Sequence, residues 1–491
     1  MKIKLPAYVI STARVLIKEG YKAYLVGGAV RNSYLGIEPG DYDIATDALP
    51  EELIKLFPKA ITVGAAFGTV LVIQRDSNGE NYSIEVTTLR SEEEYIKGRW
   101  PTKVKFVLDI NEDLTRRDFT INAMAIDLST KGLDYLELPY KEESETATLS
   151  HMKEFEFDLI DPFGGVKDIE KKVIRCVGSA IERFTEDGLR TFRACRFASQ
   201  LEFSIDPDTF AAIKNSLTVA RMISIERIRD EFLKMLYKSR KPSMGINLLK
   251  DTGLLNLFLP ELVASIGVKQ PLGHDFDVYE HTLRTIDLAP DKIKLAALFH
   301  DIGKPQKSTG DGHFYGHDQL GAEMTKLIMQ RLRFPTKEIE KTSLLVRWHM
   351  FTYPYQTEDT ESSETLQNWT DGAVRRFINR VGIENIEDLF QLRIADATSE
   401  PQTSWKPDEI TLLQERIAKI LAEDAALKLS DLEVDGISLM EELEIGPGKL
   451  LGDTLKYLLD QVIENPSFNT KEKLTDLARS YIKEGSKDTK F

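Results

Sequence analysis

Cys176 and Cys195 are the only cysteines in a chain of 491 residues. That scarcity excludes a disulfide scaffold or a thiolate zinc site and fits a reducing, cytoplasmic compartment. Long apolar runs are missing too. No window approaches the run of about 20 apolar residues that a bilayer-spanning helix requires, so no membrane partner is expected. The amino terminus, MKIKLPAYVISTARVLIKEGYKAY, sets charged among apolar residues at helical spacing without a small-residue cleavage site, unlike a signal peptide. Positive charge is also short, with 64 Lys and Arg against 79 Asp and Glu, a net charge of −15. At face value this argues against a nucleic-acid partner.

What is present is a globular composition, 42% hydrophobic and 29% charged, in a chain long enough for several modules of about 100–200 residues each. The charge is unevenly spread. Residues 166–250 carry +6 and residues 351–491 carry −12, so a basic face can hide within the acidic total. Tyr24 to Val26, Val70 to Gln74, Ser83 to Thr88 and Val104 to Leu108 read as short strands among amphipathic helices. From Asp168 onward helix follows helix, with stops at Gly253, Pro260, Pro290 and Pro335. The expectation is an α+β head over 1–139 and an insertion or linker over 140–160, polar and acidic near Lys141 to Thr148. An all-α neck over 161–250, a helical body over 251–400 and a helical tail over 401–491 follow.

Chemistry gathers first at Tyr24-Leu-Val-Gly27-Gly28-Ala-Val-Arg31, a strand that enters two glycines and then a helix. Glycines there admit a phosphate close to backbone amides, and Arg31 adds positive potential. Asp41 and Asp43 follow in an extended segment, where residues i and i+2 face one way and place two carboxylates about 7 Å apart. Such oxyanions repel unless a cation lies between them, and Mg2+ is the usual hard-cation choice. Glu85, between Ile84 and Val86 in an alternating strand, offers a third carboxylate. An isolated D-x-D is ordinarily a turn or a solvated edge, and the flanking glycines and Glu85 give this one its weight.

Thr115-Arg116-Arg117-Asp118-Phe119-Thr120-Ile121-Asn122 clusters two arginines before an apolar run, which alone reads equally as a capped helix with a solvated basic pair. In Glu186-Asp187-Gly188-Leu189-Arg190 the spacings i,i+3 and i,i+4 put Glu186, Asp187 and Arg190 on one helix face, as in an ordinary surface ion-pair cluster. The same pair has a sharper use. Cytosine and adenine each show an amino donor beside a ring-nitrogen acceptor. A carboxylate and a guanidinium therefore match both and reject uracil and guanine. Arg193 and Arg196 continue the helix, and Arg221, Arg227 and Arg229 follow in the basic segment. This stripe reads as a solvated face or as a contact for RNA phosphates.

LVGGAVRNSYLG, DYDIATDALPEEL, IEVTTLR, EDLTRRDFTINAMAID, DPFGGVKDIE, RFTEDGLRTFRACRFA and ISIERIRDEFLKML, in this order over about residues 20–240, resemble the class II tRNA nucleotidyltransferases. That is the family of CCA-adding enzymes and bacterial poly(A) polymerases, within the polymerase-beta superfamily. The resemblance implies a nucleotidyltransferase head with Asp41 and Asp43 on Mg2+ and Glu85 as a third catalytic carboxylate. It implies that Gly27, Gly28, Arg31, Arg116, Arg117, Asp118 and Asn122 bind nucleotide. Glu186, Asp187 and Arg190 would read its base, beside Arg193 and Arg196. Arg221, Arg227 and Arg229 would bind RNA. The implied substrates are tRNA, CTP and ATP. The chain departs from the family at Asn32, where an aspartate is usual, and at Lys97 in the loop Tyr95 to Pro101. Full CCA addition is the leading expectation, with A-only, CC-only and poly(A) addition as alternatives. An RNA-binding protein with a vestigial head would not need Asp41 and Asp43.

Six of seven histidines fall between His274 and His349. His281, the doublet His300-Asp301 at the end of an apolar helix, His317, His349 and the distant Asp396 resemble the HD phosphohydrolase superfamily. Imidazole and carboxylate ligands on facing helices suit a divalent transition metal. Core or capping histidines are the plain alternative. The resemblance implies a metal on His281, His300, Asp301 and Asp396, with His317 and His349 completing a second position. It further implies a side activity, phosphatase or cyclic phosphodiesterase. Glu433 to Ile437 and Ile445 to Gly448 resemble the family's helical tail, where the tRNA elbow is expected.

Overall fold

The computed structural model describes residues 1–62, 68–75, 81–96, 100–129, 152–271, 276–309, 313–351, 369–400, 407–422 and 428–485. Lys97, Arg99, most of the expected insertion at 140–160 and His274 lie outside them. The chain divides into two compact units, Met1–Pro260 and Glu261–Phe491.

In the first unit a seven-stranded sheet runs in the order Leu159–Ile160, Ala125–Asp127, Ala23–Val26, Asp43–Thr46, Asn81–Thr88, Thr69–Arg75, Ala60–Ile61. Every pairing is antiparallel except that of Asp43–Thr46 with Asn81–Thr88, which sets Asp43 beside Glu85. Alternation explains the burial, since Ile84 and Val86 enter the core while Glu85 between them is exposed. Tyr24, Val26, Ala45, Leu114 and Ala125 build the core beneath the site. Helices Leu189–Leu201 and Ile225–Lys238 follow, joined through Phe192, Phe232 and Phe258, whose rings meet edge to face. The fold class is α+β, a mixed head followed by helices.

The amino terminus departs from its helical reading. Lys2–Pro6 is a strand paired antiparallel with Met152–Glu156, and the helix begins only at Ala7. Pro6, at the helix entrance, marks the change. Met152–Glu156 falls within the stretch read as linker, because its partner lies some 150 positions away and leaves no local signal.

The second unit is helical among the described residues. Val278–Leu288, His317–Arg331 and Ile383–Ser399 carry His281, His317 and Asp396, while His300-Asp301 and His349 lie just past the ends of Lys294–Phe299 and Thr336–Trp348. Gly436–Leu443, Lys449–Glu464 and Lys471–Gly485 close on a separate core of Leu439, Leu458, Val462 and Leu474. Among the described residues, no helix is long and apolar enough to cross a membrane.

Candidate active site and metal centre

The glycine pair, Asp43 and Glu85 meet Asp187 and Arg190 of the base-reading motif in one cavity of about 450 Å3. Gly27 adopts φ +71°, so the turn needs glycine for its conformation, and a Cβ there would press on Nη1 of Arg117 at 3.2 Å. Asp43 opens its strand, and Tyr42 before it is buried against Tyr8. Asp41 lies just outside the strand and exposed, and it shares a second cavity with Asp43 and Glu85. Burial raises the Asp43 carboxyl to about 6, reinforced by Glu85 and Asp41 and opposed by Arg117. Three carboxylates gathered around the same pair of cavities form an oxygen donor set that fits a divalent cation.

The arginines expected to hold the triphosphate are aimed by a residue that the sequence reading missed. Buried Asp113 accepts from Arg116 at 2.6 Å on one oxygen and from Arg117 at 3.1 Å on the other. The i,i+3 and i,i+4 spacing of Asp113, Arg116 and Arg117 was the available signal. Arg31 donates to Oδ1 of Asn122 at 2.5 Å and to Oδ1 of Asn32 at 2.8 Å. Asp118 accepts from Asn122 at 3.2 Å and from Arg193 at 2.7 Å. Burial alone would raise Asp118, but Arg193 and Arg190 overcome it and hold the carboxyl at about 2.

The base-reading motif is not one helix face. Helix Ala180–Glu186 ends, Asp187 is extended, and a new helix starts at Leu189. Gly188 itself has a helical backbone, and its missing Cβ lets the Val219 carbonyl pack against the junction, where a Cβ would stand 2.9 Å from that oxygen. Asp187 and Arg190 are therefore tethered separately. Arg227 donates to Asp187 at 2.7 Å, and Arg190 donates to Glu186 at 2.5 Å and to the Arg116 carbonyl at 2.9 Å. All four of Asp187, Arg190, Arg193 and Arg227 line the cavity.

The supposed basic stripe is largely spent inside the protein. Arg196 is buried on Glu231 at 2.5 Å, Arg193 binds Asp118, and Arg229 pairs with Asp230 at 2.7 Å. Arg227 is a wall of the cavity, and Arg221 is exposed beside the short helix Leu217–Ala220. Glu231 lies 35 positions from Arg196, and its role had no local signal.

In the second unit all six predicted residues converge. His281 Nε2 lies 3.0 Å from Oδ1 of Asp396 and 3.1 Å from His300 Nε2. Asp301 turns Oδ2 toward His300 at 3.2 Å and Oδ1 toward His317 and His349 at 3.4 and 3.7 Å. The result is two adjoining triads, His281, His300, Asp396 and Asp301, His317, His349. Nδ1 of His300, His317 and His349 each meets the carbonyl three residues earlier, at 2.7–2.8 Å. Those carbonyls accept an N–H, which leaves Nε2 as the lone-pair nitrogen. Nε2 of His317 and of His349 is buried without a hydrogen-bond partner, as expected of nitrogens shaped for a metal. His281 differs, with Ser399 Oγ at 2.9 Å and Glu400 at 3.1 Å from its Nδ1. Burial would lower His281, yet Asp396 and Glu400 raise it to about 9. Asp301, despite burial, is held well below the carboxylate range by His300 and Lys304.

Comparison with known proteins places these features in context. The poly A polymerase head domain family matches residues 23–141, the probable RNA and SrmB-binding site of polymerase A matches 202–266, and the HD domain matches 272–400. The CCA-adding enzyme of Lactococcus lactis subsp. cremoris (strain MG1363) is 32% identical over 466 residues, 94% of each chain. That of Bacillus subtilis (strain 168) is 44% identical over 241 residues, 49% of this chain and 52% of the relative. The crystal structure of Bacillus stearothermophilus CCA-adding enzyme in complex with CTP aligns over 99% of this chain and 100% of its own, with 27% identity and a TM-score of 0.67.

Proposed function

This chain belongs to the CCA-adding enzymes, and from that premise we propose how its residues add C and A from CTP and ATP to the 3′ end of tRNA. The observation that carries the residue assignment is one cavity holding Asp43, Glu85, Arg117, Asp187 and Arg190 together. The family implies a divalent metal, and we assign Mg2+ to Asp41 and Asp43 with Glu85 beside them. When bound, Mg2+ supplies charge stabilisation to the attacking and leaving oxygens of an in-line displacement.

Arg31, Arg116 and Arg117 bind the triphosphate, the last two fixed by Asp113. Asp187 accepts from the exocyclic amino group of C or A, and Arg190 donates to the ring nitrogen beside it. Because each is tethered by its own partner, neither neutralises the other, and both present a fixed edge. Uracil or guanine would set donor against donor and acceptor against acceptor, the kind of mismatch a hydrogen-bonding site rejects strongly. The 3′ oxygen of tRNA forms a bond to the α-phosphorus as the bond to the bridging oxygen breaks and pyrophosphate leaves.

Incubating tRNAs that end before, within and after CC with CTP alone, ATP alone or both tests this reading. Extension of the first by CCA with both nucleotides, followed by arrest, is expected. Extension by ATP only of a tRNA already ending in CC would make the enzyme A-adding. The two triads of the HD domain support a second reading, a divalent transition metal pair serving phosphatase or cyclic phosphodiesterase chemistry. Stoichiometric metal retention by the wild type, and its loss in Asp301→Asn, tests that site.

A further inference from the structure

Three of the four imidazoles in the HD triads turn Nδ1 to a backbone carbonyl, whereas His281 turns it to a carboxylate. Its Nδ1 lies 3.1 Å from Oε1 of Glu400 and 2.9 Å from Oγ of Ser399. A serine has one hydroxyl proton, and Ser399 donates it to the Asp396 carbonyl at 2.7 Å. Both groups at Nδ1 are therefore acceptors. The proton of the neutral ring stays on Nδ1, and Nε2 turns its lone pair into the triad of His281, His300 and Asp396.

The fold builds this contact from one helix end. Asp396 belongs to helix Ile383–Ser399, and Glu400 is the first residue past it, with an extended backbone. One turn of chain thus supplies a ligand of the triad and the group behind another ligand. Arg284, three residues after His281, donates to the Ser399 carbonyl at 2.9 Å and ties helix Val278–Leu288 to that turn. Gln270 donates to Oε1 of Glu400 at 3.4 Å, while its own oxygen accepts from Lys304 at 2.7 Å. Lys304 in turn reaches Oδ2 of Asp301 at 2.6 Å. Glu400 is only 6% exposed, and burying a carboxylate is costly unless donors such as the His281 N–H meet it. The other three imidazoles are oriented without a charge behind them. What a carboxylate adds at His281 is basicity at the opposite nitrogen.

We propose that Glu400 is the positioning residue of the first triad: it fixes the His281 ring and strengthens Nε2 as a ligand for a divalent transition metal. The two imidazoles of the triad formed with Asp301, His317 and His349, rely on carbonyls instead. The proposal rests on the metal reading of the HD domain. Equilibrium dialysis of the full chain against Co2+, with excess Mg2+ to occupy the oxygen donors of the head, tests it. The wild type should retain one equivalent per triad. Glu400→Ala should weaken one equivalent by about a hundredfold and leave the other unmoved. Glu400→Gln keeps the shape and an acceptor but loses the charge, and should weaken the same equivalent by about tenfold, the lower end of the usual outer-shell range. It carries the test even where Glu400→Ala unfolds. In His317→Ala, which removes the second position, Glu400→Gln should cause the same loss, and in His281→Ala none. Wild-type retention of both equivalents in Glu400→Gln would overturn the assignment. So would equal weakening of both, or a loss that persists in His281→Ala, since Glu400 would then support the domain and not the ring. A wild type that retains no Co2+ would remove the metal reading itself, a different result from Glu400 variants that bind as the wild type does.

Discussion

The head and the HD domain solve the same problem, a cluster of carboxylates, in opposite ways. In the head, carboxylates crowd one another and Asp43 is raised to about 6, so the cluster is short of positive charge. In the HD domain the carboxylates of Asp301 and Asp396 are lowered, because imidazoles and Lys304 surround them. The first arrangement, oxygen donors beside an open cavity, suits a hard cation that arrives with substrate phosphates. The second, with imidazole nitrogens preset by backbone carbonyls, suits a resident transition metal. The difference teaches that a metal site is recognised by the charge left uncompensated around its ligands as much as by the ligands.

The sharpest way to break this comparison is to remove one ligand from each site and read both. Asp43→Asn should lower nucleotide addition by about three orders of magnitude, the several kcal/mol that metal-assisted charge stabilisation supplies, with tRNA binding and HD metal content intact. Addition near the wild-type rate would remove Asp43 from the metal. Asp301→Asn strikes a residue whose two oxygens face both triads. It should weaken HD metal retention by more than about a hundredfold, beyond the usual loss from an outer-shell change, and leave CCA addition unchanged. A coupled loss of addition would show that the two sites are not separate.

Base selection sharpens the comparison within the head. Arg227→Ala frees Asp187 from its tether without touching Arg190. Discrimination against UTP should fall by about ten- to a hundredfold, the worth of a charge-assisted hydrogen bond, with CTP still accepted. Unchanged discrimination measured by competing CTP against UTP would mean that Asp187 is held by its backbone alone.

Particular residues show how much of this was legible. Asp43, Glu85 and the glycine turn could be read because strand alternation is local and the strands lie where the apolar pattern put them. All six HD residues could be read because doublets and helix ends carry the pattern. The Asp187 and Arg190 geometry could not, since one extended residue, Asp187, divides a continuous helical spacing into two helices. The partner of Arg196, Glu231, and the strand pairing of Lys2–Pro6 with Met152–Glu156 depend on distant residues. The +6 of residues 166–250 was read as a free stripe, whereas Arg193, Arg196, Arg227 and Arg229 all have acidic partners. Glu231, Asp187 and Asp230 are already counted in that +6 and only Asp118 lies outside the window, so a net charge gives the size of the basic excess but not which arginines are paired.

The smallest effect separates the sites by proton release. Asp43 is raised from an ordinary carboxylate value to about 6, so in the metal-free protein its protonated form favours folding, and that contribution is lost as pH rises from about 4 through 6. His281 is raised from 6.5 to about 9, so its contribution is complete below 6.5 and is lost as pH rises through about 9. A metal needs both groups deprotonated. Below about pH 6 the head should therefore lose metal affinity by about tenfold per pH unit, whereas the HD site should pay a similar proton penalty up to about pH 9. Glu85→Gln should move the head transition to lower pH, because Glu85 is the foremost charge raising Asp43. Calorimetric titration with Mn2+ at pH 7.5, in buffers of differing ionisation enthalpy, distinguishes the two. Asp43→Asn should still release about one proton from His281 on binding, and Asp301→Asn should release almost none. Proton release retained in Asp301→Asn would place the titrating group in the head and reverse the contrast.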